Sequence, residues 1–258
     1  MIKALLTTGC SFSDFNGRDT NNEHKRWTNY LEEYISPEFV MHTGYGSSGN
    51  DIIAKRAIYM CSKALKQYTG DEILLVLNWS EISRKSFFVN KDNPKSFSIE
   101  HMKQDIHDDY DNILEVIGCD LENKPQNNEG YFWVSNHWKD SEIQKWYLTY
   151  YNDAQALEET VWNMLQVQNF CELNNINYGW MSLNNYIHTA DYSKFNVIHL
   201  EKMLNPELSI MDMGMWEWTK INNPELFMKD KVHPNPLGHF NITTKCIIPH
   251  FQSNGVLL

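Results

Sequence analysis

The sequence predicts an α/β fold of three layers, α/β/α, around a central parallel sheet of about five strands. Three observations point to it. Short stretches such as "EILLVLNW", residues 72–79, are apolar without the alternation of a half-exposed strand, so both of their faces are covered. Segments with helical spacing lie between them. Polar or glycine-bearing turns follow the strands, at the edge where such sheets hold their ligands.

The elements follow in order. Residues 2–8 form a first buried strand. Residues 24–35 have helical spacing through Trp27, Tyr30, Leu31 and Tyr34. Residues 38–43 are a second strand. Residues 50–68 place Ile52, Ile53, Ala57, Met60, Ala64 and Leu65 on one helical face, and 72–79 is the clearest strand. Residues 91–140 are polar, with aromatic islands such as "YFWVSNHW", and read as an insertion. One long helix is expected at about 141–175, a fourth strand at 177–183, a fifth at 207–213 and a last helix at 236–252. All of this fits one domain over 1–258 carrying the insertion.

Composition narrows the function. The chain has 258 residues, 42% of them hydrophobic, and a net charge of −11. Acidity of this degree argues against nucleic acid or an anionic membrane as partner. Five scattered cysteines without a CxxC pair argue against a disulfide framework or zinc ribbon and for a reducing compartment. The start has neither a signal peptide nor a membrane-spanning run, so a cytoplasmic protein is expected. His101 and His107, and His233 and His239, are six apart, which is no metal-ligand spacing on a helix. No metal or cofactor is expected.

Four turns carry chemistry. The first, Gly9-Cys10-Ser11-Phe12-Ser13, puts a hydroxyl at a strand end. Ser11 is there either a turn and capping residue or a nucleophile. The second, Gly44 to Asp51, matches G-x-G-x-x-G between strand and helix. It reads as a tight turn, an oxyanion or phosphate cradle, or a dinucleotide loop. It follows the second strand, and no acid ends the next one, which counts against the dinucleotide. The third is Asn78-Trp79-Ser80-Glu81 with Arg84, a helix cap or a set of polar donors. The fourth, "DKVHPNPLGH", spaces Asp230 three residues before His233. That carboxylate can hold the Nδ1 proton of the imidazole and leave Nε2 to accept one from a hydroxyl.

Taken together and in this order, these turns resemble the SGNH, or GDSL, hydrolase superfamily, through short motifs from Gly9 to His239. The "GCSF" form of the first block is similar to a divergent branch frequent in small bacterial and phage-encoded proteins. The resemblance implies a flavodoxin-like fold and a Ser11–His233–Asp230 triad. It implies an oxyanion hole drawing on the N–H groups of Ser11 and Gly49, with Gly46 the weaker second choice. The family's third block, G-x-N-D, falls on Ser80 and Glu81, with Asn78 two residues early. Either Ser80 or Asn78 adds a donor, or the hole has two. Trp79, Arg84 and Asn50 are the substrate-facing candidates.

The implied activity is hydrolysis of a small-molecule or carbohydrate ester, such as an O-acetyl group, through an acyl-enzyme. The sugar reading rests on Trp79, Trp133, Trp138, Trp216 and Trp218 as stacking surfaces. Two other readings stand beside it. One is a catalytically weak or inactive binding or structural protein of the same fold, virion-associated if phage-encoded. The other is nucleotide binding through Gly44–Gly49.

Overall fold

The computed structural model describes residues 1–13, 25–44, 46, 48–89, 130–134, 141–194 and 200–258. Strands β1 (Ala4–Thr8), β2 (Phe39–His42) and β3 (Ile73–Trp79) are followed by β4 (Lys85–Val89), β5 (Gly130–Val134) and β6 (Asn177–Ser182). Four of them form one parallel sheet in the order β2-β1-β3-β6. The central strand β3 is buried at all seven positions, as its unbroken apolar run requires.

Helices cover both faces. Alternate residues Leu75, Leu77 and Trp79 pack with Ile53, Ala57 and Met60 of α2 (Asn50–Ala64). Two later helices follow, α3 (Ser141–Tyr150) and α4 (Asp153–Leu173), and Met164, Val167 and Cys171 of α4 join that layer. On the other face, Leu5, Leu74 and Val76 meet Trp27 and Leu31 of α1 (Trp27–Ile35). Ile242, Ile248 and Phe251 of the C-terminal helices complete that side. The three-layer α/β/α arrangement with a parallel sheet is therefore present.

Four expectations change in detail. The sheet has four strands among the described residues rather than five. Residues 207–213 give only a parallel bridge from Ser209 to Trp180, because Asn205 caps a 3-10 turn over Pro206–Leu208 that takes up the start of the segment. The helix expected at 141–175 is two. Asn152 ends the first by capping the second, its Oδ1 accepting from the N–H groups of Ala154 (2.8 Å) and Gln155 (3.3 Å).

The last helix is also interrupted. After the short α5 (Tyr186–Thr189) and α6 (Met215–Asn222), α7 (Pro236–Ile242) runs through a π turn at Thr243–Ile247 into α8 (Ile248–Ser253). Pro249 has no N–H for the carbonyl of Lys245, and the widened turn absorbs the mismatch. Finally, β4 and β5 pair antiparallel, so the region expected as an insertion is framed by a two-stranded ladder starting at Lys85. Residues 91–129 and 135–140 of that insertion lie outside the described residues.

Candidate active site

The turn after β1 anchors three of its side chains and leaves one available. Cys10 is fully buried, its Sγ donating to Asn78 Oδ1 at 3.3 Å. Phe12 is buried in the α1-side core. Ser13 is buried, closes the turn through its N–H to the Cys10 carbonyl (2.9 Å), and accepts from Trp27 Nε1 (3.2 Å). Ser11 alone stays partly exposed. Gly44 belongs to the same packing. A Cβ there would lie 2.2 Å from the Ser13 carbonyl oxygen, so this glycine is required by the close approach of two loops.

The segment bearing His233 is held as firmly. Phe227 and Pro234 form an antiparallel bridge, and the Met228 N–H donates to the His233 carbonyl (2.8 Å). Asn235 ties down the next turn. Its N–H donates to Leu226 O (2.6 Å), its Nδ2 to Glu225 O (2.8 Å), and its Oδ1 caps α7 at the Gly238 N–H (2.9 Å). Pro236 then occupies the first turn of α7, where a missing N–H costs nothing. Between the clamps Lys231 adopts left-handed backbone, φ 57°. That bend lets Asp230 Oδ1 accept from the N–H groups of Val232 (2.8 Å) and His233 (3.0 Å).

The structure brings Asp230, His233 and Ser11 into one line. His233 Nδ1 is 2.6 Å from Asp230 Oδ2, and His233 Nε2 is 2.8 Å from Ser11 Oγ. Phe12 flanks the imidazole, ring centres 5.1 Å apart. Partial burial pushes the Asp230 carboxyl up. The Val232 N–H, the His233 ring and the His233 N–H outweigh it and hold the group below the ordinary carboxylate range. An ionised Asp230 only accepts, so the proton sits on Nδ1 and Nε2 is the acceptor for the Ser11 hydroxyl.

The remaining candidates divide. Gly49 caps α2, and its Cβ would fall 2.7 Å from Asp51 Oδ1 and 2.9 Å from the Arg84 carbonyl oxygen, so glycine is required there too. The N–H groups of Ser11 and Gly49 have no backbone partner among the described residues. Asn78 is fully buried, its carbonyl taken by Cys10 and its Nδ2 donating to Met215 Sδ at 2.7 Å. Ser80 is 2% exposed, and its Oγ accepts from Arg84 at 2.9 Å.

Of the substrate-facing expectations, that for Trp79 is corrected. Trp79 is fully enclosed between β3 and α2 and offers no ring face to a ligand. Asn50 is a latch. Its Oδ1 accepts from the Ser80 N–H (2.7 Å), while its Nδ2 donates to the Ser80 carbonyl (3.3 Å) and to Thr160 Oγ1 (3.1 Å). A buried amide satisfied in this way ties the start of α2 to the residue after β3 and to α4. Arg84 stays partly exposed, bonded to Ser80 and near Glu81 (3.6 Å). Trp216 and Trp218 pack against the α1-side core, Trp216 with Phe227 and under Lys220. The Trp133 side chain and Trp138 lie outside the described residues.

One pair escaped the sequence. Arg26, just before α1, donates from Nη1 to Nε2 of the fully buried His239 at 3.2 Å, across 213 positions. Only a long-range contact reveals it, and no local pattern encodes one. Among the described residues no group of three or more His, Cys, Asp or Glu is placed to hold a metal ion, and no helix is long and apolar enough to cross a membrane.

Comparison with known proteins adds little to this geometry. No family model and no curated protein matches the chain. Among solved structures, protein YxiM of Bacillus subtilis aligns with a TM-score of 0.47 at 10% identity, over 99% of this chain and 57% of that one. The chain thus spans little more than half its length. A catalytic mutant of an acetylxylan esterase from Geobacillus stearothermophilus aligns with a TM-score of 0.27 at 12% identity, over 96% and 93% of the two chains.

Proposed function

We propose that the chain is a serine ester hydrolase of the SGNH type. The observation that carries this reading is the continuous line from Asp230 through His233 to Ser11 at the carboxyl edge of a parallel sheet. In the proposed reaction His233 Nε2 takes the Ser11 proton as Oγ attacks the ester carbonyl. Asp230 stabilises the imidazolium. The N–H groups of Ser11 and Gly49 receive the oxyanion, His233 returns the proton to the leaving alcohol, and water releases the acyl group by the same steps.

The hole in this proposal has two donors. The Asn78 amide is committed to Cys10 and Met215, and the Ser80 hydroxyl is enclosed against Arg84. A missing oxyanion donor costs on the order of 100- to 1000-fold in rate. A slow or highly selective hydrolase is therefore the expected phenotype, and this favours a weak enzyme over an efficient one as the second reading. The test is a fluorophosphonate probe with short p-nitrophenyl esters. Labelling and turnover in the wild-type chain, both lost in Ser11→Ala, are expected. A folded wild-type chain that neither labels nor turns over would sink the proposal.

A further inference from the structure

A cavity of about 340 Å³ opens between the start of α2, the β3–β4 turn and α4. Asn50 and Asp51 line it, immediately after Gly49 in the chain. Its long wall is one face of α4. Gln155, Glu159, Trp162, Asn163 and Gln166 recur at helical spacing and all line the cavity. The opposite face of the same helix, Leu157, Val161 and Leu165, packs into a small core with Ile82.

The chemistry of the wall is selective. Asn163 and Gln166 each offer a donor and an acceptor, which matches hydroxyl groups that do both, while Asn152 keeps its Nδ2 and Gln155 its Oε1 beside bonds to the start of α4 and to Glu159. Trp162 is 44% exposed and Tyr150 69% exposed, so two aromatic side chains meet the cavity with ring surface uncovered. Two acids, Asp51 and Glu159, balance two bases, Arg84 and Lys85. Lys85 is paired with Glu159, and Arg84 with Ser80 and Glu81. A phosphate or carboxylate ligand would call for a concentration of positive charge, and this wall has none. The volume is at the small end of small-molecule sites.

We propose that this cavity binds a neutral carbohydrate, one or two sugar residues of a glycan chain. Its role as the subsite that presents an ester to Ser11 rests on the hydrolase reading; sugar binding itself does not. The decisive experiment is calorimetric titration of the full chain with xylotetraose, cellotetraose, mannotetraose and chitotetraose, with tetragalacturonate as the anionic control. Wild type, Ser11→Ala, Trp162→Ala and Gln166→Ala are compared after thermal melting has verified their fold. At least one neutral glycan is expected to bind wild type and Ser11→Ala equally, and about tenfold or more weakly to Trp162→Ala. No neutral glycan binding at millimolar concentration, binding untouched by either wall substitution, or binding of tetragalacturonate alone would overturn it. Failure of fluorophosphonate labelling with glycan binding intact would remove the hydrolase and leave the sugar site.

Discussion

His233 and His239 lie six residues apart, on either side of the same helix start, and the protein uses them in opposite ways. His233 sits on a loop, its side chain 26% exposed, with a carboxylate on Nδ1 and a hydroxyl on Nε2. His239 sits on α7, fully buried, with a guanidinium on Nε2. An anionic partner stabilises the imidazolium, and a cationic one penalises it. Burial first, then Arg26 and then His233 itself, hold His239 well below the ordinary histidine range. In the proposed reaction the first ring gains a proton, whereas burial and Arg26 keep the second from doing so. Residue type and spacing say nothing of this difference; the partner's charge and the burial decide it.

The comparison breaks most visibly at the hydroxyl. Ser11→Ala leaves His233 without its proton source and is expected to lower ester turnover by about 10⁴- to 10⁶-fold. The melting temperature should hardly move, since Ser11 is partly exposed and fills no core. Equal loss of turnover in His233→Ala, with no further loss in the double variant, is the expected sign that the two act as one unit. Additive losses would separate them. Asp230→Asn comes next. It keeps the shape but not the charge, and about a 10⁴-fold loss is expected from the wrong tautomer and an unsupported imidazolium. Parent-like activity in that variant would show that the carboxylate is only a loop staple for Val232 and His233.

Legibility in the sequence followed the range of the interactions. Strand β3 was readable because burial on both faces writes itself as "ILLVLNW". The loop from Asp230 to Pro236 was readable because its bonds join near neighbours: Asp230 to His233 and Asn235 to Gly238. Asn152, which splits the long helix, was readable in principle, since an Asn followed by an acid is a helix-start signal that outweighed the continuing apolar spacing. Trp79 does not face a ligand, because a side chain at a strand end points either outward or into the neighbouring layer, and only the packing of α2 on β3 decides it. The Arg26–His239 contact depends on the docking of α1 beside α7 and left no local trace.

His239 supplies a smaller effect with a definite sign. In the unfolded chain it titrates near 6.5. In the folded chain its value lies well below, so above pH 6.5 neither state holds the proton and stability is flat. Below pH 6.5 the unfolded state takes up the proton first, and stability falls by up to about 1.4 kcal/mol per pH unit for this one group. His42, His188 and His250, each lowered first by burial, act with the same sign. His239→Gln keeps an acceptor for Arg26 but cannot titrate. Urea unfolding from pH 7.5 to 5 should show an acid slope smaller by up to one proton, with turnover at pH 7.5 within a few-fold of the parent. An unchanged slope would mean that His239 is already protonated in the fold.

Arg26→Gln sharpens the same contrast at its weakest point. It removes the second cause of the shift at His239 and leaves the first, burial, in place. The folded value should therefore rise yet stay below 6.5. The onset of acid destabilisation is set by the unfolded chain and should not move. Its end is set by the folded ring and should move to higher pH, so the total loss becomes smaller than in the parent. An imidazole titration followed by NMR reads the folded value directly. If it does not rise in Arg26→Gln, burial rather than Arg26 silences His239. The opposed charges of Asp230 and Arg26 would then no longer distinguish the two histidines, and only their depth in the molecule would.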